Sequence, residues 1–302
     1  AQRLELALQG RGWHPDLQVL GVRQNFYTRF DETVTDSIYF RGRVVGTSAN
    51  LSSDRVTTEH RSVQPSLRFH GPGALRLFGE YRIEQADGPV LRDHVTRNIA
   101  GEVTASTHEE GVSVPPADRT AWAAGLSASH TLRGLELESS LRFDRLRSRA
   151  DSLADSPTAK LDVIDRRTSA EIGLSRAIGL VEPYAHLATG FRAPNLDERY
   201  FNNNIHGGLR LFGNPDLESE RSLSYELGLR TAGELPEWLR SARISAYRSN
   251  VDDLITFRYI GMLYLVPRFQ YFNVQRARLE GIEAVAQLRL GSILVEASGG
   301  VP

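Results

Sequence analysis

The 302 residues contain no cysteine, which excludes disulfides and thiolate metal sites and leaves redox chemistry silent about the compartment. No apolar run approaches the roughly 18 residues that a transmembrane helix requires. Net charge is also missing. Lys and Arg number 36 against 37 Asp and Glu, so at −1 no strong field gathers nucleic acid or anionic lipid, and no nucleic-acid partner is expected. Chemical motifs are absent as well. The 8 histidines show no His-x-x-x-His spacing, Asp252-Asp253 lacks the spacing of an EF-hand, and no nucleophile elbow surrounds a serine. No metal site, cofactor or catalytic residue is therefore expected, and the chain reads as a non-enzyme. The start, Ala1-Gln2-Arg3-Leu4-Glu5, is strand-like and acidic rather than the basic, then apolar, pattern of a signal peptide.

What is present is alternation. At 40% apolar and 24% charged, the composition is thin for elements packed on a dry core but suits sheets with one wet face. Leu223, Tyr225, Leu227 and Leu229 point one way along an extended segment, and Ser224, Glu226, Gly228 and Arg230 point the other. Strands are read over 3–9, 17–30, 61–69, 75–84, 121–132, 135–144, 168–176, 184–191, 242–250, 253–259, 269–290 and 293–299, with the facing ambiguous near Asp252-Asp253. Pro65 costs a ladder bond and suggests a bulge, Pro115-Pro116 forbids regular pairing, and Asp252-Asp253 reads as a bulge or the start of a loop.

The connections alternate too. Short turns at 10–16, 70–73, 133–134, 177–180, 231–238 and 291–292 mostly interleave with long polar segments at 31–54, 87–118, 147–161, 192–220 and 257–268, each expected to be a loop. Short turns at one rim and long loops at the other are the pattern of an outer-membrane barrel, whose strands span with only about 9–11 alternating residues. The fold expected is all-β: an antiparallel transmembrane β-barrel, here a partial barrel of about twelve strands filling residues 1–302 as one unit. A charge on the lipid face near the midplane costs roughly 2–4 kcal/mol. Glu136, Arg142, Glu226, Arg230, Glu283 and Arg289, which fall on the Ser- and Gly-bearing side, are therefore assigned to the lumen.

Within residues 192–220, Arg192, Asn195, Asp197, Tyr200, Asn202, Asn203 and His206 are candidate extracellular ligand contacts, amides and aromatics suited to a polar macrocycle or chelate. The same residues also fit a solvated loop whose Asn side chains cap turns. Pro194 and Gly213-Asn214-Pro215 read as structural, setting where strands leave the sheet.

Three segments resemble the barrel of TonB-dependent outer-membrane receptors. They are Gly190-Phe191-Arg192-Ala193-Pro194-Asn195-Leu196 with Gly213-Asn214-Pro215-Asp216-Leu217 and Glu220-Arg221-Ser222; Ile244-Ser245-Ala246-Tyr247-Arg248 through Val251-Asp252-Asp253-Leu254-Ile255; and Tyr271-Phe272-Asn273 with Ala277-Arg278-Leu279-Glu280-Gly281-Ile282-Glu283. The resemblance is specific over 184–290, architectural before that, and leans to the cobalamin-transporter branch. It implies a barrel of about 22 strands around a separate plug domain. It also implies a bacterial outer-membrane location with outer-membrane lipid around the barrel, and TonB-energised uptake of a siderophore, haem or cobalamin. The partners it implies are the plug of the same parent chain, the TonB complex, and a metal-chelate or cobalamin-like ligand. Against that pattern the chain shows no plug, no TonB-contacting segment and no terminal aromatic strand at Gly300-Val301-Pro302, which suggests an interior fragment. In an intact receptor Glu226, Arg230, Glu283 and Arg289 would face the plug. A passive porin-like channel is the alternative, and a barrel enzyme or adhesin a more distant one.

Overall fold

The computed structural model describes residues 2–7, 14–70, 73–151, 161–205, 209–263, 266–291 and 293–301. Twelve strands form an antiparallel meander: β1 (Gln2–Ala7), β2 (His14–Phe40), β3 (Arg43–His70), β4 (Gly73–Asn98), β5 (Val103–Leu132), β6 (Leu135–Ala150), β7 (Asp162–Arg176), β8 (Val181–Arg192), then β11 (Glu220–Thr231), β12 (Leu239–Leu263), β13 (Val266–Leu290) and β14 (Ile293–Val301). Between β8 and β11 lies an insert with a short helix α1 (Leu196–Tyr200) and two small strands, β9 (Asn202–Ile205) and β10 (Leu209–Phe212). Over the described residues, every alternating segment of the sequence is a strand of this meander. Among the described residues β1 and β14 do not pair with each other, so the barrel is partial.

Register fixes the two faces. Leu227 lies opposite Ala185 and Ala246, and Leu229 opposite Pro183 and Ile244. Leu227 is 64% exposed and Leu229 48%, so these leucines line an outer surface rather than a dry interior. Leu77, Leu126, Leu137, Leu141, Ile172, Leu174, Leu187, Ile244 and Ile282 are exposed in the same way. On β6 the outward row runs Leu135, Leu137, Ser139, Leu141, Phe143 and then meets Arg145, which pairs in register with Arg166. That apolar band matches the roughly 9–11 residues a tilted strand needs to cross hydrocarbon. The ring of Phe143 lies 5.4 Å from that of Trp122, at the level where aromatic girdles meet the interface.

Over their described residues the segments expected as long loops sit at one rim, but three of them are not loops; residues 152–160 lie outside the described residues. Residues 31–54 are the upper arms of β2 and β3, joined by a two-residue turn at Arg41 (φ 49°) and Gly42 (φ 76°). Residues 87–118 are the upper arms of β4 and β5, paired up to Arg97 and Val103. Residues 257–263 and 266–268 continue the ladder of β12 and β13. Part of 147–161 is likewise strand, since β6 runs to Ala150. The reason is physical. Above the membrane both faces of a hairpin are wet, so the alternation that marks a strand in sequence is lost while the backbone ladder persists.

Pro115 and Pro116 do interrupt pairing, at a register shift between Ala86–Ala117 and Gly88–Val114. Pro65 makes no bulge. It pairs in register with Val19, and the β3–β4 ladder resumes at Ser66–Phe78 in the register it held at Val63–Tyr81. Asp252-Asp253 stays inside β12, where Asp253 takes a left-handed φ of 59° without shifting the register.

Candidate functional site

The insert was expected to be a long polar loop, and it is instead a folded unit seated on the polar face. Asn195 precedes α1; its carbonyl accepts the Arg199 N–H at 3.1 Å, and its own N–H donates to Glu198 Oε2 at 2.7 Å. That return bond from the third helical residue is half of a capping box. Leu196 and Tyr200, one helical turn apart, pack into a buried cluster with Ala86, Val114 and Ala117 of β4 and β5. The start of the loop after β10 approaches so closely that a side chain at Gly213 would meet the Arg199 carbonyl at 2.6 Å, which requires glycine there.

Buried ion pairs hold the unit on one side and amide hydrogen bonds on the other. The Arg199 guanidinium, 1% exposed, pairs with Asp165 of β7 at 3.0 Å and donates to the Pro215 carbonyl at 3.0 Å. Asp165 also accepts from Ser219 Oγ at 2.6 Å. Arg119 of β5 donates to the Pro194 carbonyl and to Ser148 Oγ, and pairs with Glu84 at 3.5 Å. On the opposite flank, Asn214 Nδ2 donates to the Tyr271 carbonyl at 3.1 Å, and Asn273 exchanges hydrogen bonds with the Glu218 backbone at 3.0 Å. Strand β10 runs parallel to β13, with Leu211 beside Phe269. The insert therefore reaches from β4–β7 across to β12–β13.

Arg192 closes its base, forking between Glu220 at 2.6 Å and Glu198 at 2.8 Å. These carboxylates, Glu220 first, hold its guanidinium fully charged. Desolvation first, and then the nearby Glu84 and Glu198 carboxylates, push the Asp197 carboxyl upward. No hydrogen bond or ion pair reaches that carboxylate among the described residues.

The sequence candidates are thus distributed unevenly. Asn195 and Asp197 are exposed on α1, and Arg192 is half-buried in its fork. Tyr200 is fully buried, so it cannot be an extracellular ligand contact. An aromatic in an Asn-rich segment reads as a polar handle, but the four-residue spacing from Leu196 places it on the packed side of a helix. Asn202 and Asn203 are described only as backbone, paired with Phe212 and Leu211, and His206 lies outside the described residues. Pro194 and Gly213-Asn214-Pro215 act as expected of structural residues, with carbonyls of both prolines gripped by buried arginines.

The candidates of the Ser- and Gly-bearing side share one face by register. Arg142 pairs with Asp144 at 2.7 Å and Glu80 at 2.8 Å. Tyr184 Oη donates to Glu226 at 2.6 Å, and Arg230 pairs with Glu182 at 2.6 Å. Glu136, Glu226 and Arg230 line one cavity of about 240 Å³ together with Glu171 and His186. Gly228 lies beneath the Tyr184 ring, at 2.5 Å from where a Cβ would stand. Glu283 pairs in register with Ser245 and Gly300, and Arg289 continues its row along β13. Residues that sequence reading missed are Arg119, Asp165, Arg199 and Ser219. Arg119–Pro194, Ser219–Asp165 and Arg199–Asp165 join residues 75, 54 and 34 positions apart, and no local pattern links them.

An open antiparallel meander with an apolar belt, a charged inner face and extended arms at one rim defines an outer-membrane β-barrel. Residues 2–300 match the family model described as TonB dependent receptor-like, beta-barrel, and the chain belongs to that family. Its proteins reside in the bacterial outer membrane. Among solved structures, the chain is similar to a copper transporter, OprC, at 17% identity and a TM-score of 0.60, over 96% of this chain and 48% of that one. The RagAB peptide transporter aligns at 14% identity and a TM-score of 0.58, over 98% of this chain and 34% of that one. The Serratia marcescens hemophore receptor HasR, in complex with its hemophore HasA and heme, aligns at 16% identity and 0.51, over 95% of this chain and 53% of that one. At these identities the likeness is one of fold. The chain spans about half the length of HasR and OprC.

Proposed function

We propose that this chain is the barrel segment of an energised outer-membrane receptor, lining the path by which a scarce, large nutrient of the siderophore, haem or cobalamin class enters. Its partners in that role are the surrounding lipid, a plug domain of the same parent protein against the charged face, and the TonB complex. One observation carries the reading: the insert of residues 193–219 is fixed across the polar face by buried ion pairs and carbonyl hydrogen bonds. A passive pore works by keeping that space open, and a rigid folded obstacle at its mouth opposes that. Arg192, Asn195 and Asp197 stand at or near that mouth and, with Asn202, Asn203 and His206 of the same segment, are the proposed ligand contacts. Glu136, Arg142, Glu226, Arg230, Glu283 and Arg289 are the proposed contacts to the plug.

The test is uptake of radiolabelled ferric chelates, haem and cobalamin by cells expressing the complete gene, with and without functional TonB. Energised uptake disappears without TonB. Uptake of small solutes that is indifferent to TonB would establish the porin-like alternative instead.

A further inference from the structure

On the outward face of β6 and β7, just above the apolar belt, two like charges stand side by side. Arg145 lies opposite Arg166 in the β6–β7 register and opposite Trp122 in the β5–β6 register. Directly opposed residues on one face hold their Cβ atoms about 4.5–5.5 Å apart, and like charges so placed destabilise a sheet. Alternation sets the facing: Arg145 follows Leu141 and Phe143 in the outward row of β6. Among the described residues no ion pair or side-chain hydrogen bond reaches either guanidinium. Asp162, on the same face, is taken by Arg147 at 2.5 Å and by Arg149 at 3.5 Å. Above Phe143 this face thus sets Arg145, Arg147, Arg149 and Arg166 against Asp118 and Asp162 alone, a cationic excess that the near-zero net charge of the whole chain conceals.

A second pair in the same sheet shows what resolves such a conflict. Arg23 lies opposite Arg61 in the β2–β3 register. There Glu59, two residues from Arg61 on the same face, accepts from Arg23 Nε at 2.8 Å and from Arg61 Nε at 2.9 Å. One carboxylate bridges both guanidinium groups. The equivalent position on β7, two residues from Arg166 toward the outer rim, is Ile164, 43% exposed and unable to supply an anion. Below the unbridged pair lie the rings of Trp122 and Phe143, 5.4 Å apart, and then the apolar belt. Beside it the β7–β8 ladder ends at Glu171–Ala188, and Thr189 Oγ1 accepts the Ala170 N–H at 2.9 Å, so the upper edge of β7 has no strand partner among the described residues. An anion bridging Arg145 and Arg166 has hydrocarbon directly beneath it. That is the position of a lipid headgroup; a soluble anion gains nothing from the belt.

We propose that Arg145 and Arg166, above the Trp122–Phe143 pair, form a binding site for the phosphate group of an anionic lipid in the outer leaflet. The phosphate takes the place that the Glu59 carboxylate holds between Arg23 and Arg61, and the acyl chains lie on the belt beneath. The site is on the outside of the barrel and does not depend on what the lumen carries, so it stands or falls apart from the uptake reading.

The experiment titrates the complete receptor, purified in a neutral detergent, with dioleoyl phosphatidic acid and with dioleoylglycerol, which lacks the phosphate, while inorganic phosphate serves as competitor. Native mass spectrometry counts the retained lipid. Phosphatidic acid is expected to be held far more tightly than dioleoylglycerol, and less so as salt is raised. Arg145→Gln and Arg166→Gln each lower its affinity about fivefold and together about twenty-fivefold, leaving dioleoylglycerol unchanged. Arg145→Lys with Arg166→Lys retains most of the binding. Ile164→Glu is the sharpest variant. It places a carboxylate where Glu59 stands beside Arg61, bridges the two arginines from within, and lowers phosphatidic acid binding as far as the double glutamine variant does. Arg23→Gln, at the pair already bridged, changes nothing. Heat-modifiable migration on gels confirms that each variant is folded. Equal retention of the two lipids, or unchanged phosphatidic acid binding in the double glutamine or the Ile164→Glu receptor, would each overturn the proposal. So would displacement by inorganic phosphate at the concentration of the lipid, which would mark a site for a free anion.

Discussion

The insert and the β4–β5 arm stand at the same rim, and both are polar stretches without a clean period in sequence, yet they fold in opposite ways. The arm rises as a plain ladder with its residues from 101 to 110 all exposed. The insert folds back onto the sheet and buries Leu196, Tyr200, Leu211 and Leu217. Charge content does not separate them. The insert spaces its few apolar residues so that one side of a helix and one side of a strand can be covered, and it places Arg199 where Asp165 can neutralise it. A stretch with neither feature follows its backbone ladder and extends.

The comparison breaks most sharply at Arg199. Arg199→Ala leaves Asp165 buried without its partner and is expected to cost about 3–5 kcal/mol of insert docking. Hydrogen exchange measured on the complete receptor should show residues 196–217 losing protection while residues 101–110, already open, do not change. Next comes Tyr200. Tyr200→Ala empties a fully buried aromatic site and is expected to cost about 3–5 kcal/mol. Tyr200→Phe should be neutral or slightly stabilising, because the buried hydroxyl has no hydrogen-bond partner among the described residues. A large loss in Tyr200→Phe would mean that the hydroxyl does bond in the assembled receptor. A smaller effect is expected at the base. Arg192→Gln should loosen the start of α1 by roughly 1 kcal/mol, since that guanidinium is half-exposed and solvent screens its fork.

The smallest effect lies on the arm. The His108 ring sits 2.5 Å from Asp93, whose hydrogen bond, followed by its charge and that of Glu110, raises the imidazole pKa above 6.5. A raised folded-state value means that this contact contributes fully below the unfolded pKa near 6.5 and is lost as pH rises through the higher, folded value. NMR titration of the ring should show that upward shift, and Asp93→Asn should remove most of it, with no measurable change in insert protection.

Much of the fold is legible in the chain. Leu223, Leu227 and Leu229 against Ser224, Glu226 and Arg230 give strand, face and environment at once, because lipid on one side and polar groups on the other impose period two. Legibility stops at the water line. Residues 31–54 and 87–118 lack the period, not the strand, and only the ladder itself reveals them. The site was half visible. Asn195 followed by Glu198, with Leu196 and Tyr200 four apart, encodes a capped helix with a buried side and would have placed Tyr200 correctly. The grip of Arg119 on Pro194, 75 residues away, is written nowhere locally. The unbridged arginine pair depends on knowing that Arg145 and Arg166 are cross-strand neighbours, which only the register supplies.

The span from Arg199–Asp165 on one wall to Asn214–Tyr271 and Asn273–Glu218 on the other makes the insert a tie-beam. A wall that splays outward must stretch bonds at both abutments together, so flexing of this sector is shared rather than local. Mechanical load delivered to the mouth would accordingly be felt by β7 and β13 as one stiff frame.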